Sequence, residues 1–126
     1  MTKTQSNVRQ VEVGDIFYES WGYDQTNINW YQVVGVTPSG KSVRVREVRS
    51  EIVEGRGGPS ERVVPVKDGF IEDDGTPYGE SKSKVMTKRL RPLSDGTPSI
   101  KIRDYGTYGW LWSGTPRHRT GFGYGH

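Results

Sequence analysis

The chain has 126 residues, of which 31% are hydrophobic, with 17 glycines and 7 prolines; that is one domain with a small core, in which the glycines and prolines interrupt any long helix. There is no cysteine, which excludes a disulfide framework, a thiolate metal site and a cysteine nucleophile. The net charge of +3 is modest, and with no apolar run near the ~20 residues that span a bilayer and no apolar leader in "MTKTQSNVRQ", a soluble, cytoplasmic protein is expected.

In chain order, "VRQVEVGDIFYES" alternates Val11 and Val13 with Gln10 and Glu12, then reaches Ile16, Phe17 and Tyr18. It reads as a first strand with Gly14-Asp15 as a bulge or turn. "SWGYDQTNINWYQ" follows, a loop rich in rings and small polar side chains. "INWYQVVGV" places Trp30, Gln32, Val34 and Val36 on one strand face and Tyr31, Val33 and Gly35 on the other, with Trp30 assigned to the core. "TPSGK" is a tight turn. "SVRVREV" returns with Val43 and Val45 inward and Arg44 and Arg46 outward. Glu47 and Val48 then break this alternation, as a bulge or strand end would. "RSEIVEGRGGPS" offers one short helical turn and a glycine-rich loop. "RVVPV" is a short strand placed at a sheet edge by Pro65, and a long polar excursion follows it.

"KVMTKRLRPL" and "SIKIRDY" are two further alternating strands around the turn "SDGTP", and "GTYGWLW" is an aromatic one. Five to seven short strands with bulges and tight turns predict a mainly β fold with little helix. The expected form is a small, strongly bent antiparallel sheet or an SH3-like barrel, with an OB-like barrel as the alternative. One domain over 1–112 and a flexible glycine-, aromatic- and base-rich tail over 113–126 are expected.

The charge is unevenly spread. From Lys82 to Arg103 the chain carries Lys82, Lys84, Lys88, Arg89, Arg91, Lys101 and Arg103 against Asp95, whereas Asp68, Glu72, Asp73, Asp74 and Glu80 form an acidic stretch. That acidic stretch lacks the spacing of a calcium loop and reads as surface. A serine–histidine–acid arrangement would have to use His118 or His126, both within the expected tail. "GRGGPS" is not followed by the lysine and serine of a phosphate cradle and opens no helix. No catalytic residue, metal site, cofactor or small-molecule substrate is therefore expected.

Cations that neutralise phosphates and exposed rings that stack on bases are what nucleic-acid binding needs. Arg44 and Arg46, on a strand expected beside Lys101 and Arg103, would join Lys88, Arg89 and Arg91 in a basic stripe, because alternate side chains share a face. Trp21 and Tyr23, around Gly22, are the stacking candidates, and Tyr105, Tyr108, Trp110 and Trp112 also lie in or beside glycine-containing turns. A DNA- or RNA-binding module is the first expectation. The second is a protein-interaction module gripping a host or phage protein through a strand edge or the aromatic loop.

The segment "VGDIFYESWGYDQTNINWYQVVGV" resembles small proteins of actinobacterial phages and mobile elements that share a GD-I-x-Y, S-WGYDQTN and aromatic-YQV pattern. The ending "YGTYGWLWSGTPRHRTGFGYGH" is similar to that family's W-x-G-x-P and final aromatic segment. The resemblance implies a phage accessory protein acting in the host cytoplasm, and it supplies no catalytic residues.

Overall fold

A computed structural model describes residues 11–22, 25–92, 96–102 and 107–121. The described chain is mainly β and closes into a six-stranded antiparallel barrel. Its strands are β1 (Ile16–Trp21), β2 (Asn27–Val36), β3 (Ser42–Glu54), β4 (Ser60–Phe70), β5 (Met86–Pro92), β6 (Pro98–Lys101), β7 (Tyr108–Leu111) and β8 (Arg117–Thr120), with one short helix, α1 (Pro77–Ser83), between β4 and β5. β1, β2, β3, β5, β6 and β7 pair in succession, and β7 returns to β1 at Phe17–Leu111 and Tyr18–Trp110. The ring is thus a meander. It is of the small, strongly bent kind expected, in the size range of SH3- and OB-like barrels.

Alternation along each strand fills the interior with Phe17, Tyr31, Val33, Val43, Val45, Ile100 and Ile102. Gly109 faces Ile100 across the β6–β7 ladder, where an added methyl group would come within 3.1 Å of Ile102; the missing side chain leaves room for the two isoleucines. β2 carries one extra residue against β3 between Val33 and Gly35. This bulge corrects the sequence reading of the strand: Val36, placed with Trp30, instead pairs with Val43 and packs against the barrel core.

The break in alternation after Arg46 has a different cause from the one expected. β3 runs on to Glu54, beyond the barrel, and pairs there with β4 in place of β5. The expected helical turn in "RSEIVEG" is strand. Val48 belongs to a second core, outside the barrel wall, with Ile16, Ile28, Trp30 and Val63, flanked by Tyr18, Ile52, Phe70 and Trp112. Trp30 is fully buried, meets Trp112 edge-on at 5.5 Å and donates its indole N–H to Ser50 Oγ at 2.8 Å.

Residues 117–120, assigned to a flexible tail from composition, form β8 and pair with β4 from Ser60–Thr120 to Val63–Arg117. Two contacts fix this strand: Arg119 donates to Glu61 Oε1 at 2.8 Å, and the Arg117 guanidinium lies 4.3 Å over the Tyr18 ring. Pro65 pairs with Ser50 of β3 and lies beyond the segment of β4 that pairs with β8, so only one of its two sides is in a ladder. α1 arises inside the predicted polar excursion. Thr76 caps it by accepting from Gly79 N–H at 2.9 Å, and Pro77 opens it.

Candidate functional site

The exterior of β3, β5, β6 and β7 can be read from the ladders, since residues paired across a ladder share a face. Arg44 pairs with Thr87, Arg91 with Ser99, Ser99 with Trp110, and Lys101 with Tyr108. Alternation along β5 adds Arg89 to this set. One continuous outer wall therefore carries Arg44, Arg89, Arg91 and Lys101, followed by Tyr108 and Trp110. The three arginines are exposed and Lys101 is half-buried. The outward positions of these four strands within the barrel hold no carboxylate, and no described acid forms an ion pair with any of the four cations.

The rings complete the wall. Tyr108 is 36% exposed and Trp110 half-buried, with centroids 6.2 Å apart and planes inclined by 35°. Both stand beside the cations of β5 and β6 because β7 is the next strand of the ring. Among the buried ones, Ser99 donates to Arg91 C=O at 2.7 Å, which ties the strand carrying Arg91 to the one beside the rings.

The other expected site residues lie elsewhere. Arg46 faces outward but is committed within the molecule: its guanidinium sits 4.8 Å over Phe70, donates to Ile71 C=O at 3.4 Å and lies 3.5 Å from Glu72. Lys88 pairs with Val43 and so points inward, where Nζ donates to Ile102 C=O at 3.0 Å. Lys101 is not beside Arg44; β5 lies between their strands. Trp21 is 43% exposed but shares the inward face of Phe17 and Glu19, at the barrel mouth, where its indole N–H donates to Asn29 Oδ1. Tyr23 and Arg103 lie outside the described residues.

That mouth is a second polar feature. A cleft of about 220 Å³ is lined by Trp21, Asn29, Tyr31, Glu47, Lys82 and Met86, among others. Asn29 donates to Glu47 Oε2 at 2.8 Å and Lys82 Nζ to the same oxygen at 3.2 Å, so α1 is latched over the opening. Deeper in, Glu19 is fully buried and accepts from Tyr31 O–H at 3.0 Å. Its spacing of two residues from Phe17 puts it on the inward strand face.

His118, set aside with the tail, stands on β8 with Nδ1 2.5 Å from Ser60 Oγ. Both residues are exposed on the sheet surface, and no described carboxylate holds the other ring nitrogen, so the pair lacks the third, orienting group of a nucleophilic triad. No group of three metal-ligating side chains occurs among the described residues, and no described helix is long and apolar enough to cross a membrane. No family model, curated protein or solved structure matches the chain.

Proposed function

We propose that the protein is a non-catalytic nucleic-acid-binding module whose contact surface is the outer wall of β3, β5, β6 and β7. The observation that carries this reading is the joining, on one face, of four cations with no acidic partner among the described residues and two partly exposed rings. Guanidinium and ammonium groups held in this way attract a polyanion and release its counterions on contact. The rings supply apolar, sequence-tolerant contact beside them. Relative to the sequence expectation, the surface keeps Arg44, Arg89, Arg91 and Lys101, exchanges Trp21 for Tyr108 and Trp110, and leaves Arg46 and Lys88 to structural roles. The resemblance to phage proteins fits a module that acts on nucleic acid inside a host cell.

A host or phage protein gripped by a strand edge draws less support. Beyond Val63 the outer edge of β4 is interrupted by a wide bulge between Pro65 and Phe70, in which Asp68 takes φ 64° and exchanges two hydrogen bonds with Gln32, at 2.7 and 2.8 Å. An edge broken in this way is a poor template for an added strand. Fluorescence anisotropy with labelled oligonucleotides at low salt tests the proposal: binding that Arg89→Ser with Arg91→Ser weakens supports it, and no binding at ~20 mM salt, where screening is slight, rejects it.

A further inference from the structure

The wall also carries information about the form of the polymer. Along β5, Arg89 and Arg91 are two residues apart, as are Tyr108 and Trp110 along β7; alternate residues of a strand are spaced by roughly 6.6 Å. The two columns run side by side with β6 between them, two strand spacings or about 10 Å apart. A cation column and a ring column thus run parallel at the same repeat. Lys101 stands between them, opposite Tyr108.

The rings decide between strand forms. In a duplex each base face is covered by its neighbours, and only base edges are open in the grooves. An aromatic side chain on a blunt barrel wall gains little from such a polymer. A single strand leaves its base faces open to stacking. Nor does the wall, among the described residues, project a helix or ribbon that would enter a groove. The inclination of 35° between the Tyr108 and Trp110 planes keeps the two rings from stacking flat on each other, which leaves ring surface for a base.

Resting on the nucleic-acid reading above, we infer that the ligand is a single strand lying along β5–β7, with successive phosphates on Arg89 and Arg91, assisted by Arg44 and Lys101, and with bases on Tyr108 and Trp110. The path follows the strands. The footprint is short, at most four phosphates, because the wall carries four cations and β6 and β7 are each only four residues long.

Anisotropy with three labelled twelve-nucleotide probes at one salt concentration tests this: oligothymidylate, the corresponding duplex, and an abasic oligomer with the same phosphates but no bases. Oligothymidylate is expected to bind at least about fivefold more tightly than the abasic probe, the affinity gain of one stacked base, and more tightly than the duplex. Tyr108→Ser reduces the advantage over the abasic probe and Tyr108→Phe retains it, with far-ultraviolet dichroism as the check on folding. Should the serine variant not fold, the wild-type comparison of thymidylate with abasic probe decides alone. Equal affinity for all three probes, with the loss on Arg89→Ser and Arg91→Ser intact, overturns the single-strand inference and leaves the proposed function standing. Binding to none of them overturns both.

Discussion

Replacing Arg89 and Arg91 together by serine removes half of the four cations from the outer wall without touching either core, because both side chains are exposed. For a single strand the logarithm of the binding constant falls with the logarithm of salt concentration by about 0.7 per phosphate neutralised. Arg44, Arg89, Arg91 and Lys101, each taking one phosphate, give a slope of about −2.8, so that a fourfold rise in salt weakens binding about 50-fold. The double variant retains two cations, a slope of about −1.4 and a loss of about sevenfold over the same range. Arg46→Ser is the internal control. Its guanidinium is committed to Phe70, Ile71 and Glu72, so the slope is expected to stay near the wild-type value even though the variant loses stability. Anisotropy titrations at four or five salt concentrations measure all three slopes. A double variant with an unchanged slope, or an Arg46 variant whose slope falls as far, would refute the assignment of phosphate contacts to this wall.

Two further outcomes test the scaffold that holds the wall. Ile100, on β6 and fully buried in the barrel, is expected to cost about 2–5 kcal/mol when changed to alanine; a urea denaturation difference below about 1 kcal/mol would mean that the barrel does not close over it. The Arg119 guanidinium holds the Glu61 carboxyl below its ordinary 4.5, assisted by the Gly57 N–H. A carboxyl lowered in the folded state stabilises the fold above its unfolded pKa, and that contribution disappears as pH falls through the folded value. Glu61→Gln is therefore expected to lower the urea midpoint at neutral pH and to flatten its decline below about pH 4.5; midpoints that decline in parallel for variant and wild type would show that the β4–β8 pairing does not depend on this ion pair.

Most strands were legible because their alternation is dictated by a single buried face, as in "SVRVREV" and "SIKIRDY". Reading failed where one strand serves two environments. β3 buries Val43 and Val45 on one face within the barrel and Val48 on the opposite face beyond it, which from sequence looks like a defect in alternation. β8 was hidden for another reason: it has no apolar repeat of its own, and Arg117 and Arg119 are held by a ring and a carboxylate that lie far away in sequence. The bulge at Val34 transfers Val36 between faces, and nothing local in "YQVVGV" distinguishes it from a regular strand. For the site, outward arginines could be listed from parity, but strand order could not, and it is strand order that sets Lys101 beside Tyr108 instead of Arg44.

The division of the barrel exterior explains why some rings and cations are available and others are not. β4 and β8 cover the outer side of β1, β2 and the middle of β3, and everything aromatic on that half enters the second core: Tyr18, Trp30, Phe70 and Trp112. Glu72, in the β4–α1 segment, meets Arg46. The remaining half, formed by β5, β6, β7 and the first residues of β3, has no second layer among the described residues. Strand pairing satisfies its backbone, its interior face is filled by Leu90, Ile100 and Leu111, and its outward side chains have no packing role that requires arginine, lysine or tyrosine at those positions. A scaffold alone would be served there by any polar, β-compatible residue such as threonine. Four cations and two rings on the uncovered half are therefore an arrangement the fold does not require, and that surplus over structural need is the physical ground for proposing this wall as the contact surface.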